Sequence, residues 1–194
     1  TSRDNKSISQ FKSALIGGGA RPNLFEVELT TLPAGISWNS ENFRFMCKAA
    51  ALPAQNIAAI DIPFRGRIFK VAGDRTIDTW TVTIINDESF ELRNAMEQWT
   101  EVIAKLDNNL GATDPTAYMT NAKVFQLGRG SQKSSKNSDG DSNAVLKEYE
   151  FVDIFPTTVS EIALSYDTGD TIEEFDVEFQ VQSLNLTGTG SPNG

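Results

Sequence analysis

FKVAGDRTIDTWTVTIINDE, residues 69–88, decides the fold class. Apolar and polar side chains alternate through it, so the spacing predicts strands over 67–72 and 79–85. Gly73, Asp74 and Arg75 fall between them as a turn, and Asp87 and Glu88 precede a helical pattern. Carboxylates at such places fit either a catalytic loop or a surface built to touch copies of itself.

Outward from this stretch the period of two recurs. Phe25, Val27 and Leu29 alternate with Glu26, Glu28 and Thr30; Phe43, Phe45 and Cys47 alternate with Arg44, Met46 and Lys48. Further strands are expected over 122–127, 147–154, 161–166 and 174–182. One helix interrupts them: after Asp87 as N-cap, Leu92, Ala95, Met96, Trp99, Ile103 and Leu106 recur at helical spacing, with Glu88 and Glu91 in the first turn where the macrodipole favours anions. Those carboxylates thus have a structural role. Ile8, Phe11 and Leu15 define a shorter amphipathic helix over 7–16, with Ser7 and Gln10 spaced as a capping box and Gly17–Gly19 ending it. It reads either as an arm on a glycine hinge or as a helix packed on its own domain. The Ser- and Gly-rich segment 127–143 is expected to be a flexible loop, and 184–194 a flexible tail.

Composition narrows the chemistry. The 194 residues suit one domain with a real core, and 39% hydrophobic with 22% charged residues is ordinary for a globular chain. A net charge of −9 disfavours binding to nucleic acid or anionic membranes. There is no histidine, which excludes Ser-His-Asp and Cys-His nucleophilic systems and the usual histidine-bearing zinc sites. The single cysteine, Cys47, cannot form an internal disulfide and is expected to be a buried thiol. No stretch approaches the ~20 apolar residues of a membrane span, and the first residues lack the apolar core of a signal peptide. An initial Thr is compatible with removal of a preceding Met.

Candidate motifs for chemistry are weak. Asn137, Asp139, Asp141, Asn143 and Glu148 fall at calcium-loop spacing, but Ser142 stands where the sharp turn needs glycine, and helices do not flank the segment. Neither Gly128-Arg129-Gly130 nor Gly17–Gly19 has the pattern of a phosphate loop. No carboxylate pair for glycoside hydrolysis is marked among the 26 acids. No catalytic residue, metal or cofactor is therefore expected.

Two surfaces are more informative. Glu174, Asp176 and Glu178 alternate with Phe175, Val177, Phe179 and Val181, forming an acidic row on one sheet face. The row is either an ordinary solvated face or a functional acidic wall. Residues 49–63, AAALPAQNIAAIDIP, carry one charge and are bounded by Pro53 and Pro63. They read as an extended apolar excursion between two strands, belonging either to the core or to an interface.

ARPNLFEVEL (20–29), FMCKAAALPA (45–54), FKVAGDRTIDTWTVTIINDE (69–88) and FPTTVSEIALSYDTGDTIEEFDVEFQVQ (155–182) together resemble the tail tube proteins of T-even-like contractile-tailed bacteriophages. The blocks occur in the family's order and cover most of 20–182. The resemblance implies a mainly β fold with one main α-helix, a two-sheet antiparallel sandwich or barrel of the phage tail-tube type, spanning 21–183 between an N-terminal arm (1–20) and the tail. It implies a structural virion protein and no enzyme, with subunits forming hexameric rings stacked into the inner tube of the tail.

The expected partners are further copies of the chain, the tail sheath protein, and baseplate and tail-terminator proteins. DNA would pass transiently without specific binding, no membrane would be involved, and subunits would assemble in the host cytoplasm. On this reading Leu52, Pro53, Ile57, Ile60 and Ile62 make an inter-ring interface that orders on assembly. Gly73, Asp74 and Arg75 make an inter-subunit rim loop, and Glu174, Asp176 and Glu178 face or border the lumen. Arg129, Lys133 and Lys136 either meet an acidic sheath or stay solvated. A tube of a related secretion or extracellular contractile injection system is the alternative, and a carbohydrate-active β-sandwich enzyme a distant one.

Overall fold

The computed structural model describes residues 8–15, 19–29, 31–36, 38–131, 143–167 and 169–187. The described residues form eight strands and three α-helices in the order α1 (Ile8–Ala14), β1 (Phe25–Leu29), α2 (Ser40–Met46), β2 (Cys47–Ala51), β3 (Gln55–Phe64), β4 (Arg67–Ile77), β5 (Trp80–Ile85), α3 (Glu91–Ile103), β6 (Thr120–Ser131), β7 (Asn143–Val159) and β8 (Glu174–Thr187). The fold is mainly antiparallel β, as the alternation predicts. Six strands form one sheet in the order β1-β6-β7-β8-β5-β2, and β3 and β4 form a separate two-stranded sheet. The chain makes two compact units, one of residues 1–26, 124–149 and 186–194, the other of residues 27–123 and 150–185.

The second unit holds the aromatic core. β5 and β8 pair with Trp80 opposite Phe179, Val82 opposite Val177 and Ile84 opposite Phe175, and all six side chains are buried. Strict alternation in both strands puts these residues on one face and Thr81, Thr83, Glu178 and Asp176 on the other. Trp80 stacks on Phe151 at 4.7 Å between centroids, and Phe179 meets Trp80 at 5.3 Å and Trp99 at 5.8 Å. Stacked and tilted aromatic contacts of this kind contribute beyond their buried area. The buried face of α3 is Leu92, Ala95, Met96 and Trp99, and the Trp99 Nε1–H donates to the Tyr118 carbonyl at 2.7 Å.

In the first unit, Leu127 N and Gln126 Nε2 donate to the Leu24 carbonyl at 2.9 and 3.0 Å, fixing the chain just before β1. Ile8 and Phe11 of α1, and Leu15 just after it, are exposed.

Several expectations need correction. Residues 43–46 are not a strand: FRFM lies in α2, which buries Phe43 and leaves Phe45 78% exposed. Burial of Phe43 and Cys47 fits a spacing of four as well as a spacing of two. Local capping favours the helix, since the Asn39 side chain accepts from Glu41 N and the Glu91 carboxylate accepts from Asn39 N and Asn42 Nδ2.

Helix α3 starts at Glu91, not at Asp87. Its N-cap is Phe90 in the left-handed region (φ 54°), while the Asp87 carboxylate accepts from Ser89 Oγ and Glu88 lies outside the helix. The helix ends at Ile103, so Leu106 lies beyond it and is exposed.

Residues 161–166 form no strand. β7 stops at Val159, where Ser160 N donates to the Asp176 carbonyl and Arg93 Nη1 donates to the Ser160 carbonyl at 2.6 Å. The strand ladder ends there, and alternation alone does not make a strand.

The segments expected to be flexible, 127–143 and 184–194, are strand where they are described, because β6 reaches Ser131, β7 begins at Asn143 and β8 continues to Thr187. The remainder of both segments lies outside the described residues, as do Gly17, Gly18, Lys133, Lys136, Asn137, Asp139 and Asp141 and the proposed cap Ser7. Among the described residues no helix is long and apolar enough to cross a membrane.

Candidate functional site: an exposed apolar hairpin and an acidic strand face

The segment expected as one extended loop, 49–63, is divided by the structure. Ala49–Ala51 belong to β2 in the large sheet, and residues 55–63 lie in β3 of the hairpin. Leu52 is exposed and Pro53 half-buried in the short link between them.

Strand β3 pairs with β4 around a two-residue turn, Arg65-Gly66, whose positive φ values of 48° and 80° are those of a tight primed hairpin turn. Cross-strand partners share a face, so Ile60 with Val71 and Ile62 with Phe69 make one apolar face, extended by Phe64. The opposite face carries Ala59 with Ala72, the Asp61–Lys70 ion pair at 2.8 Å, and Pro63 with Ile68. Ile60, Ile62, Phe64, Ile68 and Phe69 are all roughly half or more exposed.

Ile57, although 60% exposed, lies on the opposite face of β3 from Ile60 and Ile62 by the strand's period of two. The expected inter-ring set is therefore split between two faces. Phe64, Ile68, Phe69 and Val71 were missing from the sequence-derived set. Their signal was the Arg65-Gly66 turn, which joins 55–64 and 67–77 into one hairpin and makes their apolar positions additive.

Gly73, Asp74 and Arg75 are not a loop but lie inside β4. The register passes from Ile57–Arg75 to Ala59–Ala72, so Gly73 and Asp74 together oppose Ala58 as a β-bulge. A Cβ on Gly73 would sit 3.1 Å from both the Ala58 carbonyl oxygen and Ile60 Cγ1, which explains glycine at this close approach.

The acidic row lies on β8 as expected. Lys48 Nζ is 2.6 Å from Glu174 Oε1, Thr83 Oγ1 donates to Asp176 Oδ1 at 2.6 Å, and Glu178 is half-buried opposite Thr81. The face is thus a mixed hydroxyl and carboxylate surface. Cys47 is buried as expected, and burial pushes its thiol from 9.0 up to about 12, leaving it neutral and unreactive near neutral pH. Arg129, the described member of the basic loop, is exposed at the end of β6. Among the described residues no three His, Cys, Asp or Glu side chains cluster as metal ligands.

Residues 20–186 match the family described as phage tail tube protein. The chain is 38% identical over 161 residues to the tail tube protein gp19 of Enterobacteria phage T4, covering 83% of this chain and 88% of that protein.

Its fold is similar to the tube-terminating cap of the anti-feeding prophage, with TM-score 0.58 and 16% identity over 88% of this chain and 92% of that one. It is also similar to a chain of the sheath–tube complex of the extracellular contractile injection system PVC, with TM-score 0.57 and 12% identity over 94% of this chain and 99% of that one. At these identities the two structures show the fold alone. The tail tube family is structural and not enzymatic, which removes the carbohydrate-active enzyme. On the family match and the relationship to gp19, this chain belongs to the phage tail tube protein family.

Proposed function

We propose that the chain assembles into rings of six copies that stack as the inner tube of a contractile phage tail, inside a sheath and between baseplate and terminator proteins. DNA passes along the lumen during ejection without being held, and subunits assemble in the host cytoplasm. The carrying observation is the β3–β4 hairpin, whose face of Ile60, Ile62, Phe64, Phe69 and Val71 is exposed among the described residues. A contiguous apolar surface of this kind marks an interaction site. Each such side chain contributes roughly 1.5–3 kcal/mol when fully buried, so covering the hairpin with neighbouring copies rewards assembly strongly.

Leu52, Pro53 and the hairpin residues Ile57, Ile60 and Ile62 reach adjacent rings, and the bulge of Gly73, Asp74 and Arg75 shapes the contact between subunits. Glu174, Asp176 and Glu178 border the lumen. An acidic wall on a chain of charge −9 repels phosphates and suits a conduit through which DNA slides. Similarity to a chain of the PVC sheath–tube complex supports the shared fold, whereas the 38% identity leads to a phage tail.

Electron microscopy of the purified full chain tests this reading. Six-fold rings and hollow tubes are expected as concentration rises. A folded protein that stays monomeric at high concentration in every salt condition would overturn it.

A further inference from the structure

We propose that the tip of the β3–β4 hairpin docks head to tail on the β7–β8 connection of a second copy of this chain. The proposal rests on the reading of the chain as a self-assembling tube subunit and names the two surfaces that meet.

The tip is cationic and apolar. Phe64 and Arg67 form the last cross-strand pair, and Arg65 and Gly66 make the turn. Asn, Asp or Gly fills the first central position of such a turn with little strain, whereas Arg65 is held there at φ 48°. An arginine kept in an unfavourable backbone conformation points to a use for its side chain. Its guanidinium lies 5.5 Å from the centroid of the Phe64 ring, which keeps charge and apolar surface together at the tip. Residues 62–72 contain Arg65, Arg67 and Lys70 and no acid. Lys70 is engaged by Asp61, while neither Arg65 nor Arg67 has an ion pair among the described residues.

The β7–β8 connection is its chemical complement. After Lys147 the sequence contains no Lys or Arg, and Glu161, Asp167 and Asp170 lie in the connection without an ion pair among the described residues. Leu164, Tyr166 and Ile172 are all largely or fully exposed. The ends of the connection are fixed: Ser160 is held by Arg93 and Asp176, and the Glu173 carbonyl accepts from Asn86 N at 2.9 Å. A segment held at both ends that displays apolar side chains among carboxylates complements a cationic apolar tip.

Because the two surfaces differ and lie on one chain, the contact is heterologous and propagates from copy to copy. Opposite charge steers tip to connection, and like charge disfavours tip-to-tip or connection-to-connection pairing.

The test measures the critical concentration for polymerisation of the full chain by light scattering and microscopy. Arg65→Glu with Arg67→Glu, and separately Asp167→Lys with Asp170→Lys, are each expected to raise it by about tenfold or more. Combining all four substitutions in one chain reverses both surfaces and is expected to recover most of the loss. Arg65→Asn preserves the turn, so its unfolding midpoint should hold or rise while its critical concentration increases. Unchanged polymerisation in the two double variants, or no recovery in the quadruple variant, overturns the docking while leaving the tube reading intact. Wild-type protein that never polymerises overturns both.

Discussion

Gly111 packs its backbone directly against the Ile103 carbonyl, where a Cβ would collide with that group. The returning chain closes the C-terminal end of α3: Ala112 N donates to the Val102 carbonyl at 3.0 Å and Lys105 N to the Leu110 carbonyl at 3.2 Å. Main-chain groups that a helix end leaves unpaired are thus satisfied by backbone. Gly111→Ala must push this return segment away, with an overpacking cost of about 1–3 kcal/mol. Chemical denaturation should show that loss, and an unchanged midpoint would contradict the close packing.

The hairpin predicts a separation of folding from assembly. Ile60→Asp with Ile62→Asp places charge on a face that is already exposed in the monomer. Circular dichroism and the unfolding midpoint should stay close to wild type while tube formation is lost. If the variant unfolds instead, these side chains support the chain's own structure. Ile57→Asp provides a comparison from the opposite face, and its effect on assembly shows whether both faces are covered.

Replacing Glu174, Asp176 and Glu178 with Lys should convert the proposed lumen border into a phosphate-binding wall. Assembled tubes should then retain DNA more tightly, and the retention should weaken steeply with salt. The triple variant also loses the Lys48 contact to Glu174 and the Thr83 bond to Asp176. Lys48 is exposed and Thr83 half-buried, so only a small stability loss is expected. Normal assembly with unaltered DNA release would place the row away from the lumen.

Cys47 gives a pH signature. Burial raises its folded-state value from 9.0 to about 12, so the contribution is fully present below pH 9.0 and is lost as pH rises toward 12. Between those limits wild type should lose up to about 1.4 kcal/mol per pH unit relative to Cys47→Ala. Parallel unfolding curves for the two proteins across that window would show that the thiol ionises without penalty. Slow labelling by a thiol reagent in the folded state, accelerated by denaturant, is the companion measurement.

The sequence by itself determined the strands whose two faces meet different surroundings. In β5 and β8 one face is core and the other polar, so Trp80-Val82-Ile84 and Phe175-Val177-Phe179 announce both secondary structure and burial. The buried stripe of α3 was legible for the same reason, and the separated blocks carried the family. Tertiary structure decided what periodicity leaves degenerate. Phe43 and Cys47 satisfy two periods at once, and contacts from Glu91, distant in sequence, accompany the helix there. Residues 161–166 alternate as a strand does, but β7 ends at Val159 and the chain forms no strand there. Ile57, Ile60 and Ile62 look equivalent in the sequence. Cross-strand register puts the last two beside Val71 and Phe69 and places the bulge of Gly73 and Asp74 opposite Ala58, because pairing depends on how two distant segments align.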